Sequence, residues 1–189
     1  MRVLLLAGLV VGGVALYLAF GRDADTTRGS LLPYQVLVPT LPPSEQQMYG
    51  DLRKGLVDAE AERAQGKRWP DPGWLAARGV VPFLESSASG VRWQQFRQGA
   101  TVSYFGAPAD PSAPAWILTI QEPEPNTPPD PAPSDDEHHR LPDGTTLHIY
   151  VWMHRYGGQV PARFVAQPQT EGWIELFATP PNPVLPRRS

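Results

Sequence analysis

A chain of 189 residues without a cysteine has no disulfide staples, no thiolate metal centre and no cysteine nucleophile, and it has room for one domain with extras. Its 16 basic and 19 acidic side chains leave a net charge of −3. The arginines are scattered, which excludes the clustered basic face that nucleic-acid binding needs.

The first segment is not domain. Val3–Phe20 reads VLLLAGLVVGGVALYLAF, with neither charge nor proline, and about 18 apolar residues in a row reach the length of a membrane-spanning helix. Residues 1–21 are therefore expected to form an uncleaved transmembrane anchor, although Ala19 and Gly21 leave cleavage by a signal peptidase open. A short amino terminus carrying Arg2 favours the cytoplasmic side. The rest of the chain is then expected outside the cytoplasmic membrane, on a single span. Residues 22–43, ending in PTLPP, read as a tether.

From Ser44 to 178 the pattern is that of an α+β domain. The stretch SEQQMYGDLRKGLVDAEAERAQG opens with Ser44 and Gln47 at capping-box spacing. Its Met48, Leu52, Leu56 and Ala59 recur every three or four residues, so one long amphipathic helix is expected to lay this stripe on a sheet. Asp51, Lys54, Asp58, Glu62 and Arg63 read as its solvated face. DPGWLAARG predicts a short second helix, with Asp71 as cap, Pro72 in the first turn and Gly79 at the exit. VRWQQF, TVSYFG, AWILTIQ, TTLHIYVWMH, VPARFVA and GWIELFA are short β-prone runs between turn residues. They predict an antiparallel sheet of about six strands.

Between the third and fourth of these runs lies EPEPNTPPDPAPSDDE. Asp110–Asp143 carries eight acidic side chains against Arg140 alone, and proline cannot donate to a sheet ladder. Residues 122–136 are read as an extended mobile loop, and 179–189 as a proline-rich tail.

The stretch SDDEHHRLPDGTTLH (residues 134–148) carries the candidate chemistry. If Asp143–Gly144 closes a two-residue hairpin, His139 faces His148, with Glu137 on the same face. A shift of one residue brings His138 opposite His148, with Asp136 on that face. Opposed β-carbons stand about 4.5–5.5 Å apart, so either register offers a His–His–carboxylate set. Such a set suits zinc, nickel, manganese or iron. The bland reading is a solvated segment beside a proline-rich loop. On the next strand His148, Tyr150, Trp152 and His154 share a face that reads either as core or as a recognition surface.

No G-x-S-x-G elbow and no H-E-x-x-H motif is present, so a non-catalytic role is expected. Two roles compete. One is a membrane-anchored extracytoplasmic accessory protein that binds a divalent metal and assists a transporter. The other is a structural or interaction subunit of an envelope complex. Either implies an inner-membrane or envelope protein partner.

Overall fold

Pro43, with its backbone angle preset, starts helix α1, which runs Pro43–Gly66 and is about 36 Å long at 1.5 Å per residue. The computed structural model describes residues 31–84, 90–125, 127 and 136–179. Residues 34–179 make one unit; residues 1–33 and 180–189 group separately, and of these only 31–33 are described. The expected anchor at Val3–Phe20 and the tail from 180 thus lie outside the described residues. Among the described residues no helix is long and apolar enough to cross a membrane.

Helix α1 buries the expected stripe of Met48, Leu52, Leu56 and Ala59, together with Tyr49 and Gly55. Leu52 and Leu56 are wholly excluded from solvent; each such side chain contributes roughly 1.5–3 kcal/mol. The expected capping box does not form. The helix begins one residue before Ser44, with Pro42 at the cap position and no side-chain cap bond. Gln47 bonds forward to Asp51 instead. After Gly66 the chain leaves the helix through Lys67, the one non-glycine with positive φ among the described residues. Helix α2 (Pro72–Ala77) starts as expected, Asp71 Oδ1 accepting from the Trp74 N–H at 2.8 Å.

The sheet is mixed and seven-stranded. Its strands are β1 (Gln35–Leu37), β2 (Val91–Gln98), β3 (Thr101–Pro108), β4 (Ala115–Gln121), β5 (His138–Arg140), β6 (Thr146–His154) and β7 (Ile174–Phe177). The order is β1-β7-β6-β4-β3-β2, with β5 pairing beside β6. Every pairing is antiparallel except β1 with β7, which is parallel. Strand β1 lies within the expected tether of residues 22–43. VPARFVA is not a strand: Pro161 has no N–H for a ladder, and the segment instead crosses over the sheet and lowers Val165 into a core.

Alternation along the strands makes two faces. Val102, Tyr104, Trp116, Leu118, Ile120, Leu147, Ile149, Val151 and Met153 meet α1 in the main core. On the other face Phe105, Ile117, Trp152, Val165 and Trp173 form a second, smaller core under the crossover. Thr119, Gln121, His148 and Tyr150 continue that second face beyond its apolar part, in register with one another across β4 and β6.

Candidate functional site

The hairpin that carries the histidines is closed by three residues, not two. The Gly144 N–H donates to Leu141 O at 2.9 Å and the Leu141 N–H to Thr145 O at 2.8 Å, leaving Pro142, Asp143 and Gly144 as the loop. A two-residue type I′ turn needs positive φ at both central positions. Here only Gly144 has it, at φ 88°. Proline fits the following-on position of a type I turn, and glycine the left-handed position after it. The longer loop selects the second of the two registers: His138 lies opposite His148, and His139 opposite Leu147.

That one-residue choice separates the histidines. His139 points to the helix side, where its Nε2 lies 2.7 Å from Arg53 Nη2 and its Nδ1 lies 2.6 Å from Glu60 Oε1. A guanidinium can only donate, so Nε2 accepts, and Nδ1 carries the hydrogen that Glu60 receives. This tautomer is assigned from the partners. Both ring nitrogens are thereby engaged, and the one ring lone pair, on Nε2, is taken by Arg53. Arg53 also donates from Nη1 to the Asp136 carbonyl at 2.5 Å and stands 3.6 Å from its carboxylate. Asp136 is thus turned toward α1 rather than toward His138.

His138 and His148 meet on the opposite face. Their ring centroids are 4.9 Å apart and their planes are inclined by 75°. Glu137 precedes β5, its carbonyl accepting from the Ile149 N–H at 2.7 Å. Of the five candidate ligands from the two alternative registers, the structure brings His138 and His148 together, and sends His139 and Asp136 to the helix. Among the described residues no group of three His, Cys, Asp or Glu side chains is arranged to hold a metal ion.

His148 also lines a cleft of about 450 Å³ whose walls include Glu122, Glu124 and Asp143. Glu122, the first residue of the expected mobile loop, is held by side-chain contacts. Its Oε1 accepts from Arg63 Nε and Nη2, both at 2.7 Å, and from Trp69 Nε1 at 3.2 Å. Arg63 accordingly leaves the expected solvated face of α1. Asp143 accepts from the Thr145 N–H at 3.0 Å, and the Thr145 backbone and side chain hold its carboxyl below the usual range. The cleft is acidic, with one imidazole of the pair at its edge.

Arg53 and Glu60 escaped the sequence reading, although their spacing of seven marks one helix flank beside Leu52, Leu56 and Ala59. A charged pair on the rim of a buried stripe is a signal for a polar group reaching over from the sheet.

A family model described as a family of unknown function, DUF6162, matches residues 36–180. The chain belongs to this family. The family span opens inside β1 and takes in the hairpin, α1 and every strand, so it coincides with the α+β unit. Comparisons with curated proteins and with solved structures give no match.

Proposed function

We propose that the chain is a membrane-tethered, extracytoplasmic accessory protein that holds a divalent cation transiently between His138 and His148 and passes it to a transporter partner. The observation that carries this reading is the cross-strand contact of the two rings, 4.9 Å between centroids, on a hairpin whose register is fixed by its turn. Structural zinc sites take four protein ligands and catalytic ones three. Two imidazoles leave coordination positions for water or for a partner's ligand, which suits exchange rather than storage. The acidic cleft beside His148 adds attraction for cations. Imidazole suits zinc, nickel, manganese and iron alike. The apolar run Val3–Phe20 supports the tether, and the absence of catalytic motifs supports a non-enzymatic role.

Calorimetric titration of the full chain with zinc, nickel, manganese and ferrous iron tests the reading. About one ion bound per chain, lost in His138→Ala and in His148→Ala, supports it. Parent heats no larger than those of a variant carrying both His138→Ala and His148→Ala would return the pair to a packing role.

The second reading is an interaction subunit of an envelope complex. It is favoured by β2, an eight-residue strand that ends the sheet order and so can receive a strand from a partner. Co-purification lost when Gln94 or Gln98 is replaced by proline, with metal binding unchanged, distinguishes the two readings.

A further inference from the structure

The second face of the sheet holds a cleft that the histidine pair does not use. It is about 420 Å³ in volume, within the roughly 300–1,000 Å³ typical of small-molecule sites. Strands β2, β3, β4 and β6 supply its floor, and the crossover at Phe164–Gln169 supplies its far wall. No side chain lining it is charged, so neither a free cation nor a phosphate finds a counter-charge there.

The polar groups are amides and hydroxyls. Gln98, Gln121 and Gln169 each offer two donors and an acceptor, while Thr101 and Thr119 can donate and accept. Thr119 Oγ1 is shielded from solvent and has no protein hydrogen-bond partner, and the same holds for Ser103 Oγ, opposite it on β3. Shielded hydroxyls are ordinarily satisfied, and the Thr119 oxygen belongs to a side chain that lines the cleft. The platform is Tyr150, half-buried beside Trp152 with ring centroids 6.5 Å apart. Trp152 is backed in turn by Tyr34, which fixes the platform from behind.

We infer that this cleft binds an uncharged, hydroxyl-rich ligand of the carbohydrate class, stacked on Tyr150 and hydrogen-bonded by the amides of Gln98 and Gln121. An aromatic face accepts the apolar C–H side of a sugar ring, and the surrounding amides and hydroxyls match its hydroxyls in number and in dual donor–acceptor character. A purely apolar ligand would leave these amides covered without partners, at a cost in affinity. His148 lies in the row of Gln121, next beyond the Thr119–Tyr150 row, so Gln121 stands between this cleft and the acidic one while Gln98 and Tyr150 line this one alone.

The test uses the full chain in lipid nanodiscs, which introduce no glycoside detergent. Cellotriose, maltotriose and the N-acetylglucosamine trimer are each titrated by calorimetry and by saturation-transfer NMR. Saturable binding of at least one is expected, weakened about tenfold or more in Gln121→Ala and in Tyr150→Ala, and unchanged in Gln47→Ala on the exposed side of α1. Because Tyr150 also packs, Gln98→Ala, on an exposed side chain, serves as the variant that cannot fail by misfolding. Absence of saturation with all three sugars overturns the inference. So does saturation that both Gln98→Ala and Gln121→Ala leave at parent affinity.

Discussion

His139 on β5 donates from Nδ1 to Oε1 of Glu60 on α1 across 2.6 Å, although the two residues stand 79 positions apart in the chain. With Arg53 on the other nitrogen, the imidazole is a clasp between the hairpin and the long helix. Its side chain and that of Glu60 are about one-sixth exposed, so a lost partner is only partly replaced by water. His139→Ala is therefore expected to destabilise the domain by roughly 1–3 kcal/mol, measured as a lower urea midpoint at unchanged slope. A midpoint equal to the parent's would mean that the clasp contributes nothing.

The same substitution separates structure from binding. Replacing His138 or His148 by alanine is expected to abolish zinc or nickel binding, while His139→Ala keeps it near the parent level despite the weaker fold. Loss of binding in His139→Ala under conditions where circular dichroism reports an intact domain would place His139 among the ligands and contradict its two hydrogen bonds.

The α1 stripe and the α2 cap were legible in sequence because each depends on contacts within one or two turns. The hairpin register was legible only as a pair of alternatives. Deciding between them required the turn type, and Pro142 held the answer: its fixed negative φ suits a three-residue loop better than the I′ turn that Asp143–Gly144 invites. Strand β1 was not legible. Its three residues, Gln35–Leu37, carry no period and find their partner 140 positions away, at Glu175–Phe177. VPARFVA misled in the opposite sense, since a crossover that drops Val165 into a small core alternates as a strand does. The cleft around Tyr150 was half legible: the aromatic face of β6 was visible, but Thr101 and Thr119 join it only through the pairing of β3, β4 and β6.

Two glycines of α1 give a contrast of sign. Alanine in place of a helical glycine ordinarily stabilises by about 1 kcal/mol. At Gly50 nothing lies within 4 Å of an added β-carbon, and Gly50→Ala is expected to raise the melting temperature by a few degrees. At Gly55 the added carbon would stand 2.5 Å from Val81 O and 2.9 Å from the Phe83 ring. A backbone carbonyl cannot swing aside as a side-chain tip can. Overpacking costs roughly 1–3 kcal/mol, so Gly55→Ala is expected to lower the melting temperature. Two shifts of the same sign in calorimetry would show that α1 does not sit against the 81–83 turn as described.

Glu175 gives the pH dependence. It lies on β7 between Gln35 of β1 and Trp152 of β6, only 7% exposed. Burial raises its carboxyl above the ordinary 4.5, opposed in part by the hydrogen bond from Gln35 Nε2 at 2.9 Å. A raised carboxyl pKa favours the folded state while the group is protonated. That contribution is fully present below pH 4.5 and is lost as the pH rises through the higher folded value. At neutral pH the buried carboxylate is a burden on the fold. Glu175→Gln keeps an acceptor for Gln35 and removes the charge, so it is expected to be more stable than the parent at about pH 7 and to lose that advantage at about pH 4. Denaturant melts of both proteins at the two pH values decide the matter. An advantage that grows on acidification would reverse the sign and mean that the carboxylate form is the one the fold stabilises.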